Sequence, residues 1–389
     1  MTREEERLYD GELGWAYQVA MRILVKLGDL FGADKLIPIT SAHISGVSYK
    51  TIGDAAIGFL EEIIEAGGKV VVNSTLNPSC LDLERIEDMG VNHKISEKQL
   101  RIIYLYERMG IDPILTCTPY YIKKPKEGSH LAWAESSAVI YANSIMRAWT
   151  NREGGPSALA AALIGKTPNY GMHRAENREA NVLVDVKAKL RSEADFGALG
   201  IHVGRLVGDD IPKFSGLKGS DIVCLKHLGA AIASSGAVSI FHLGEGDCDG
   251  EDLERITVDD ADIRRSVEDL STTSEKPDMI FIGCPHCSVG EIKKIANLIG
   301  GKKIRKDIRL WICTSKYVRE RSKPYVNLIE RAGGTVLCGV CAVVTWLKEL
   351  GVDTIMTNSA KTAYYAPTFN NVETMLAPLN ECIEMACSS

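Results

Sequence analysis

From Met279 to the C-terminus, short apolar runs alternate with helix-length segments, and few architectures accept such a pattern. Met279–Gly283, Arg309–Cys313, Thr335–Cys338 and Thr354–Asn358 read as strands. Between and after them, Val289–Leu298, Tyr317–Ala332, Val343–Leu350 and Asn371–Met385 read as helices. Strands separated by helices of roughly 8–16 residues indicate βαβ units, hence an α/β fold with a parallel sheet. Gly300–Gly301 and Gly333–Gly334 stand where two of the helices should stop, as C-cap glycines do.

Thiols gather where the strands end. Cys284-Pro-His-Cys287 follows one apolar run, Cys338-Gly-Val-Cys341 closes another, and Cys117 follows Pro113–Thr116 in the N-terminal region. The carboxyl ends of parallel strands are where open α/β sheets bind ligands. Two CxxC pairs could supply four zinc ligands, although the gap from Cys287 to Cys338 is far longer than in a zinc ribbon. Cys117, Cys284 and Cys341, one from each strand end, could instead hold an iron–sulfur cluster with one iron open. Unliganded core cysteines are the third reading, and spacing alone leaves all three open.

The first 270 residues are less regular. Asp10 is positioned to N-cap a helix over Leu13–Phe31, and Leu36–Thr40 and Lys69–Ser74 read as strands around a helix over Ile52–Ala66. Ser96–Met109 and Ser157–Ile164 read as helices. The polar stretch Ser271–Pro277 suggests a boundary between an N-terminal α/β region, 1–270, and a C-terminal βαβ domain, 278–389.

Composition narrows the function classes. A net charge of −6 without a basic cluster argues against nucleic-acid binding. The charged N-terminus shows no secretory signal. Ile222–Leu243, rich in Gly, Ala and Ser but carrying Lys226 and His227, reads as buried packing and not as a membrane span. Eleven cysteines without a signal imply a reducing cytoplasm.

Further candidate residues lie in loops. Gly46, Val47 and Ser48 should follow the Leu36–Thr40 strand, and Asn77 and Pro78 the Lys69–Val72 run; glycine and neutral donors there suit carboxylate or phosphate oxygens, or simply make turns. Glu135 and Ser136 open an apolar helix, where a carboxylate can act chemically or cap. Lys361, in a loop after the last strand, could hold an anion as a point charge. His286, between paired cysteines, is either a supporting donor or a plain surface histidine.

These residues carry a resemblance. The chain resembles the aconitase X family over nearly its whole length, in the archaeal type built from two subunits. Its markers are Gly46-Val-Ser48, Leu76-Asn-Pro78, Thr116-Cys-Thr-Pro-Tyr120, Ala134-Glu-Ser136 and Thr150-Asn-Arg-Glu-Gly-Gly155. They continue through Thr167-Pro-Asn-Tyr-Gly-Met-His173, Gly283-Cys-Pro-His286, Cys341-Ala-Val-Val344 and Ser359-Ala-Lys361. The resemblance implies a hydro-lyase with an iron–sulfur cluster, [4Fe-4S] in the active form, on Cys117, Cys284 and Cys341. Cys287 and Cys338 are extra thiols on this reading. It implies a substrate pocket lined by Gly46, Val47, Ser48, Asn77, Pro78, Glu135, Ser136 and Lys361. It also implies a separate small subunit, completing a heterodimer, that supplies the catalytic serine. The implied reaction is dehydration of (R)-5-phosphomevalonate to trans-anhydromevalonate 5-phosphate, in the mevalonate route to isoprenoids. The alternatives are dehydration of another hydroxy acid, such as cis-3-hydroxy-L-proline, or a zinc-stabilised scaffold without catalysis.

Overall fold

A computed structural model describes residues 1–244 and 253–387. It divides into two compact units: 1–79 with 91–179, and 80–90 with 180–389.

The first unit is organised by a three-stranded parallel sheet in the order Asn73–Leu76, Ser41–Ile44, Ala132–Trp133. The chain runs from the central strand to one side and then to the other, which creates a switch point in the sheet. Helices Tyr49–Glu65, His93–Arg108, Ser136–Ser144 and Gly155–Ile164 accompany it. A separate antiparallel pair joins Leu36–Pro38 to Lys166–Pro168. The expected strand Leu36–Thr40 is therefore real only in part, and the strand that leads to Gly46 is Ser41–Ile44. Likewise Lys69–Val72 is not a strand: Val71 is 61% exposed, and the pairing begins at Asn73. Pro113–Thr116 is extended chain beside that strand, touching it by the Thr75–Asp112 bridge and the Thr116 amide on the Leu76 carbonyl. At the N-terminus two helices replace the one expected. Thr2 caps Arg3–Asp10 with a capping box, so Asp10 ends the first helix, and Gly14 precedes Trp15–Leu30.

The second unit holds two parallel sheets. One runs His242–Leu243, Pro212–Ser215, Val182–Val186, Glu254–Val258. Its helices Glu193–Val207 and Ile222–Ser235 lie close: a Cβ on Gly200 would come within 2.6 Å of the Leu228 carbonyl oxygen. The small-residue composition of Ile222–Leu243 thus serves helix packing, as read from sequence.

The other sheet runs Thr335–Cys338, Arg309–Thr314, Met279–Ile282, Thr354–Thr357, Glu373–Leu376, all parallel. Met279–Ile282 is buried at every residue, as a parallel strand covered on both faces must be. The expected α/β class with parallel sheets holds. Details differ where polar residues break the pattern. Tyr317–Ala332 is two helices, Lys316–Arg321 and Lys323–Ala332, parted at Ser322 ahead of Pro324. Val343–Leu350 is a short 3-10 turn, Ala342–Val344, followed by turns. The expected C-terminal helix is instead a fifth strand, Glu373–Leu376, and a shorter helix, Leu379–Ala386. Gly300 and Gly333 adopt left-handed conformations at helix ends, as expected.

Candidate active site

In the first unit the backbone ladder continues past the strand ends and sets four loop segments along one carboxyl edge. Asn77 donates its amide to Ile44 (2.9 Å), Thr116 to Leu76 (3.0 Å) and Ala134 to His43 (2.8 Å). The Gly46–Ser48 loop, Asn77–Pro78, Cys117 and Glu135–Ser136 therefore leave the same side of one sheet. Two of these candidates meet directly: Asn77 Nδ2 donates to Glu135 Oε2 at 2.7 Å. The other carboxylate oxygen accepts from the Ser137 amide (3.3 Å) and hydroxyl (2.9 Å), so Glu135 is also the N-cap of its helix. The capping reading of this carboxylate holds, and the cap fixes it for the contact with Asn77.

Sequence reasoning missed the groups that hold these loops. Gln99, fully buried on helix His93–Arg108, donates to the Val47 carbonyl (2.8 Å) and accepts from the Tyr49 amide (3.0 Å). Tyr106, about two turns further along, donates to the Gly46 carbonyl at 3.1 Å. His43 was missed as well. It is fully buried on the central strand, and its Nδ1 lies 2.7 Å from Thr75 Oγ1. Burial drives its pKa down to about 4, with Glu135 and Asn77 opposing the shift, so the ring is neutral at pH 7. Its Nε2 and Asn77 Oδ1 are both fully buried polar atoms, and the Asn77 amide is a side-chain partner of the ring. A signal did exist: a histidine inside an apolar run, two residues before the loop, is rarely accidental. The markers Thr150–Gly155 and Thr167–His173 turn out to be architectural. Asn151 donates to Tyr170 O (3.1 Å) and accepts from the Met172 amide (2.7 Å), tying the two segments together.

In the five-stranded sheet the chain goes from Met279–Ile282 outward to Thr335–Cys338, then returns to the other side at Thr354–Thr357. The switch point thus lies between Met279–Ile282, followed by Cys284, and Thr354–Thr357, followed by Lys361. Ligands bind outside the strands at such points. Gly283, at φ +109° and packed on the Cys313 backbone, takes a conformation that only glycine adopts easily, and it turns the chain into the Cys284 loop. Lys361 is not in a loop. It lies in the first turn of helix Ala360–Asn370, whose N-cap Ser359 accepts from the Thr362 amide at 3.2 Å. Asn358, just before, donates to Glu193 Oε1 at 3.1 Å.

The thiols differ in setting. Cys287 is buried and its thiol is pushed well up, by burial first and Glu291 second. Cys338 is pushed up to about 12 by burial and by Asp82, whose carboxylate accepts the Cys338 amide at 2.7 Å. Cys341 is partly exposed, and Cys284 and Cys117 are buried at 6% and 9%. Among the described residues no three His, Cys, Asp or Glu side chains are gathered tightly enough to hold a metal ion. The four-thiol zinc site is therefore not assembled. An iron–sulfur cluster spans a wider gap than a single ion, so its thiolates need not crowd. Thiol donors that follow strand ends are the soft ligands such a group takes, and burial disfavours the thiolate at Cys287 and Cys338. His286 is not on the surface: it is 1% exposed, and its Nε2 donates to the Val340 carbonyl at 2.9 Å.

Comparison with known proteins identifies the family. Family models described as the aconitase X first, second and third domains match residues 1–176, 180–268 and 277–388. The chain belongs to the aconitase X family. It is similar to the phosphomevalonate dehydratase large subunit of Methanocaldococcus jannaschii, with 44% identity over 99% of each chain. It is also similar to the crystal structure of Thermococcus kodakaraensis aconitase X in its holo-form, with a TM-score of 0.92 and 45% identity over 99% of each chain. A more distant relative is the cis-3-hydroxy-L-proline dehydratase of Hypocrea jecorina, 31% identical over 100% of this chain but 68% of that protein. Among the described residues no helix is long and apolar enough to cross a membrane.

Proposed function

We propose that this chain is the large subunit of an aconitase X hydro-lyase that dehydrates (R)-5-phosphomevalonate to trans-anhydromevalonate 5-phosphate. The observation that carries the reading is the convergence of Gly46–Ser48, Asn77–Pro78 and Glu135–Ser136 on one carboxyl sheet edge, with Asn77 and Glu135 bonded at 2.7 Å, in a chain of this family. The full-length similarity to a phosphomevalonate dehydratase large subunit favours this substrate over hydroxyproline, whose dehydratase is larger and less similar.

The roles follow from chemistry. Hydroxide is a poor leaving group and a proton alpha to a carboxylate is weakly acidic, so elimination needs charge stabilised on both sides. Cys117, Cys284 and Cys341 would hold an iron–sulfur cluster. Such a cluster, [4Fe-4S] in the active form, supplies an open Lewis-acid iron for the hydroxyl and carboxylate oxygens. The backbone and hydroxyl donors of Gly46–Ser48 orient substrate oxygens. Asn77, fixed by Glu135, stands beside the Gly46–Ser48 loop as a neutral polar group for the substrate. Lys361 offers a compact positive charge for the phosphate or carboxylate. A cation in the first turn of a helix opposes the helix dipole, and a bound anion would offset that cost. The base that takes the C2 proton lies on a small subunit, which forms a heterodimer with this chain in the cytoplasm.

The test is direct. Chain reconstituted anaerobically with iron and sulfide, mixed with its small subunit, should convert (R)-5-phosphomevalonate, and the product is read by mass spectrometry. Turnover of cis-3-hydroxy-L-proline in place of the phosphorylated acid would refute the substrate, and full activity without a small subunit would refute the heterodimer.

A further inference from the structure

The Cys284 and Cys341 loops follow strands Met279–Ile282 and Thr335–Cys338, which are not neighbours: Arg309–Thr314 lies between them. Two interstrand steps separate the loops by about 9–10 Å at the sheet edge. A pair of thiolates serving one group across that gap needs something to set their spacing. We propose that His286 is that clamp and that the buried Lys226–Glu291 ion pair is its anchor, both acting as positioning residues. The inference rests on the reading of Cys284 and Cys341 as cluster ligands.

The bonds form one connected path. His286 stands two residues after Cys284, and its Nε2 donates at 2.9 Å to the carbonyl of Val340, the residue before Cys341. The ring thereby reaches over the end of the middle strand and joins the two loops. The middle strand adds its own stitches: Cys287 donates its amide to Cys313 O (3.0 Å), Thr314 Oγ1 donates to Cys287 O (2.6 Å), and Gly339 donates to Thr314 O (3.0 Å). Those bonds hold the far sides of both loops. The His286 ring runs from one loop directly to the other.

The backbone of His286 is held from behind. Lys226 Nζ, on helix Ile222–Ser235, donates to the His286 carbonyl at 3.2 Å. The same ammonium bonds both oxygens of Glu291, at 2.8 and 2.7 Å, and the Lys226 side chain is 1% exposed. Glu291 in turn accepts from the Ser288 amide (2.9 Å) and hydroxyl (2.7 Å), just past the loop. Burial alone would raise the Glu291 carboxyl, but Lys226 and His227 hold it below its ordinary value, so the pair is ionised. Desolvating two charges costs about what their attraction returns, so a buried pair is a poor source of stability. Its better use is to specify one geometry, and the geometry it specifies here is the carbonyl position of the residue that clamps the thiol loops. Groups that orient metal-bound ligands typically matter about 10–100-fold in metal affinity.

The experiment uses the full chain reconstituted anaerobically. Three readouts are taken: iron release to excess chelator, the EPR spectrum of the reduced protein, and the melting temperature of the iron-free chain. His286→Ala should release iron at least about tenfold faster with an altered spectrum. His286→Gln, whose amide can still donate to Val340 O, should restore most of the retention. The double variant Lys226→Met/Glu291→Gln removes the buried ion pair while the Gln oxygen still accepts from Ser288, so its iron-free melting temperature should stay close to the parent's while iron release accelerates. It also decides the matter if His286→Ala folds poorly. Iron release unchanged in His286→Ala and in the double variant would overturn the clamp. So would iron loss that merely tracks melting temperature, with no rescue by His286→Gln. A parent chain that takes up no iron at all would instead bring down the cluster reading, and the clamp with it.

Discussion

Two sheet edges, one in each unit, make an instructive comparison. Each is the carboxyl edge of a parallel sheet whose strand order reverses, so each opens a crevice at its switch point. The chemistry placed there differs. The edge in the first unit carries neutral donors and a carboxylate already bonded to one another, Asn77 to Glu135 and Gln99 to Val47. The edge in the second carries thiols and a lysine, held from beneath by buried ions, Lys226 with Glu291, and Glu193 with Asn358. Topology decides where a site can form, and the residues that follow each strand decide its chemistry; on the function proposed above, one edge would shape the substrate and the other would handle charge.

The comparison can be broken most severely at the thiols. Cys284→Ser, Cys341→Ser and Cys117→Ser should each abolish iron binding and dehydratase activity, whereas Cys287→Ser and Cys338→Ser keep both. Iron content of the five variants checks this, and an iron-free Cys287→Ser beside an iron-loaded Cys284→Ser would reverse the ligand assignment.

The first edge should respond to acid. His43 is held neutral with a pKa of about 4 against 6.5 for the free side chain. Between those values the unfolded chain binds more protons than the folded one, so stability falls as pH drops from 6.5 and levels off below 4. At 1.36 kcal/mol per unit this histidine accounts for about 3 kcal/mol across the window. His173, at about 3, and His227, at about 4, shape the same limb. Denaturant midpoints of the parent and His43→Gln at pH 7 and pH 4.5 should therefore converge as the pH falls; a constant difference would mean that His43 is not a buried neutral ring.

Lys361 tests the charged edge on its own. A charge-assisted hydrogen bond is worth roughly 1.5–3 kcal/mol, so Lys361→Ala should lower kcat/KM by on the order of ten- to a hundredfold or more. Iron content should not fall, because Lys361 is not one of the proposed thiol ligands. Lys361→Arg should rescue only in part. Wild-type kinetics in Lys361→Ala would make the residue a bystander. The smallest effect belongs to the cap beneath it: Ser359→Ala should cost about 1 kcal/mol of stability and raise KM more than it lowers kcat, as the first turn loosens. A loss in kcat alone would point to a role beyond capping.

The two edges were unequally legible. Met279-Ile-Phe-Ile282 and Thr354-Ile-Met-Thr357 announce themselves because a strand covered on both faces must be apolar throughout. The strands of the first unit are two to four residues long and partly polar, Ser41-Ala-His-Ile44 and Asn73-Ser-Thr-Leu76, too short to show a period. The adjacent Val70–Val72 looks more like a strand than either, yet its amides go to Met109 O and Ala162 O, outside any sheet. Local propensity misled where tertiary pairing overrode it. Lys361 was placed in a loop for a related reason: Pro367 inside the helix Ala360–Asn370 hides it from a sequence reading.

What the amino-acid order determined by itself was the class of fold and the inventory of reactive groups. Alternating apolar runs and helices leave little but parallel α/β, and the thiols, Glu135, Lys361 and the Asn77 loop stand out by type and by place after a strand. Tertiary structure alone decided which of them are partners. The Asn77–Glu135 bond spans 58 residues, His286 to Val340 spans 54, and Lys226 to Glu291 spans 65. Such pairings depend on which strands become neighbours and on which polar groups, once buried, must find a partner or cost the fold. That accounting is settled only when the whole chain has closed around them.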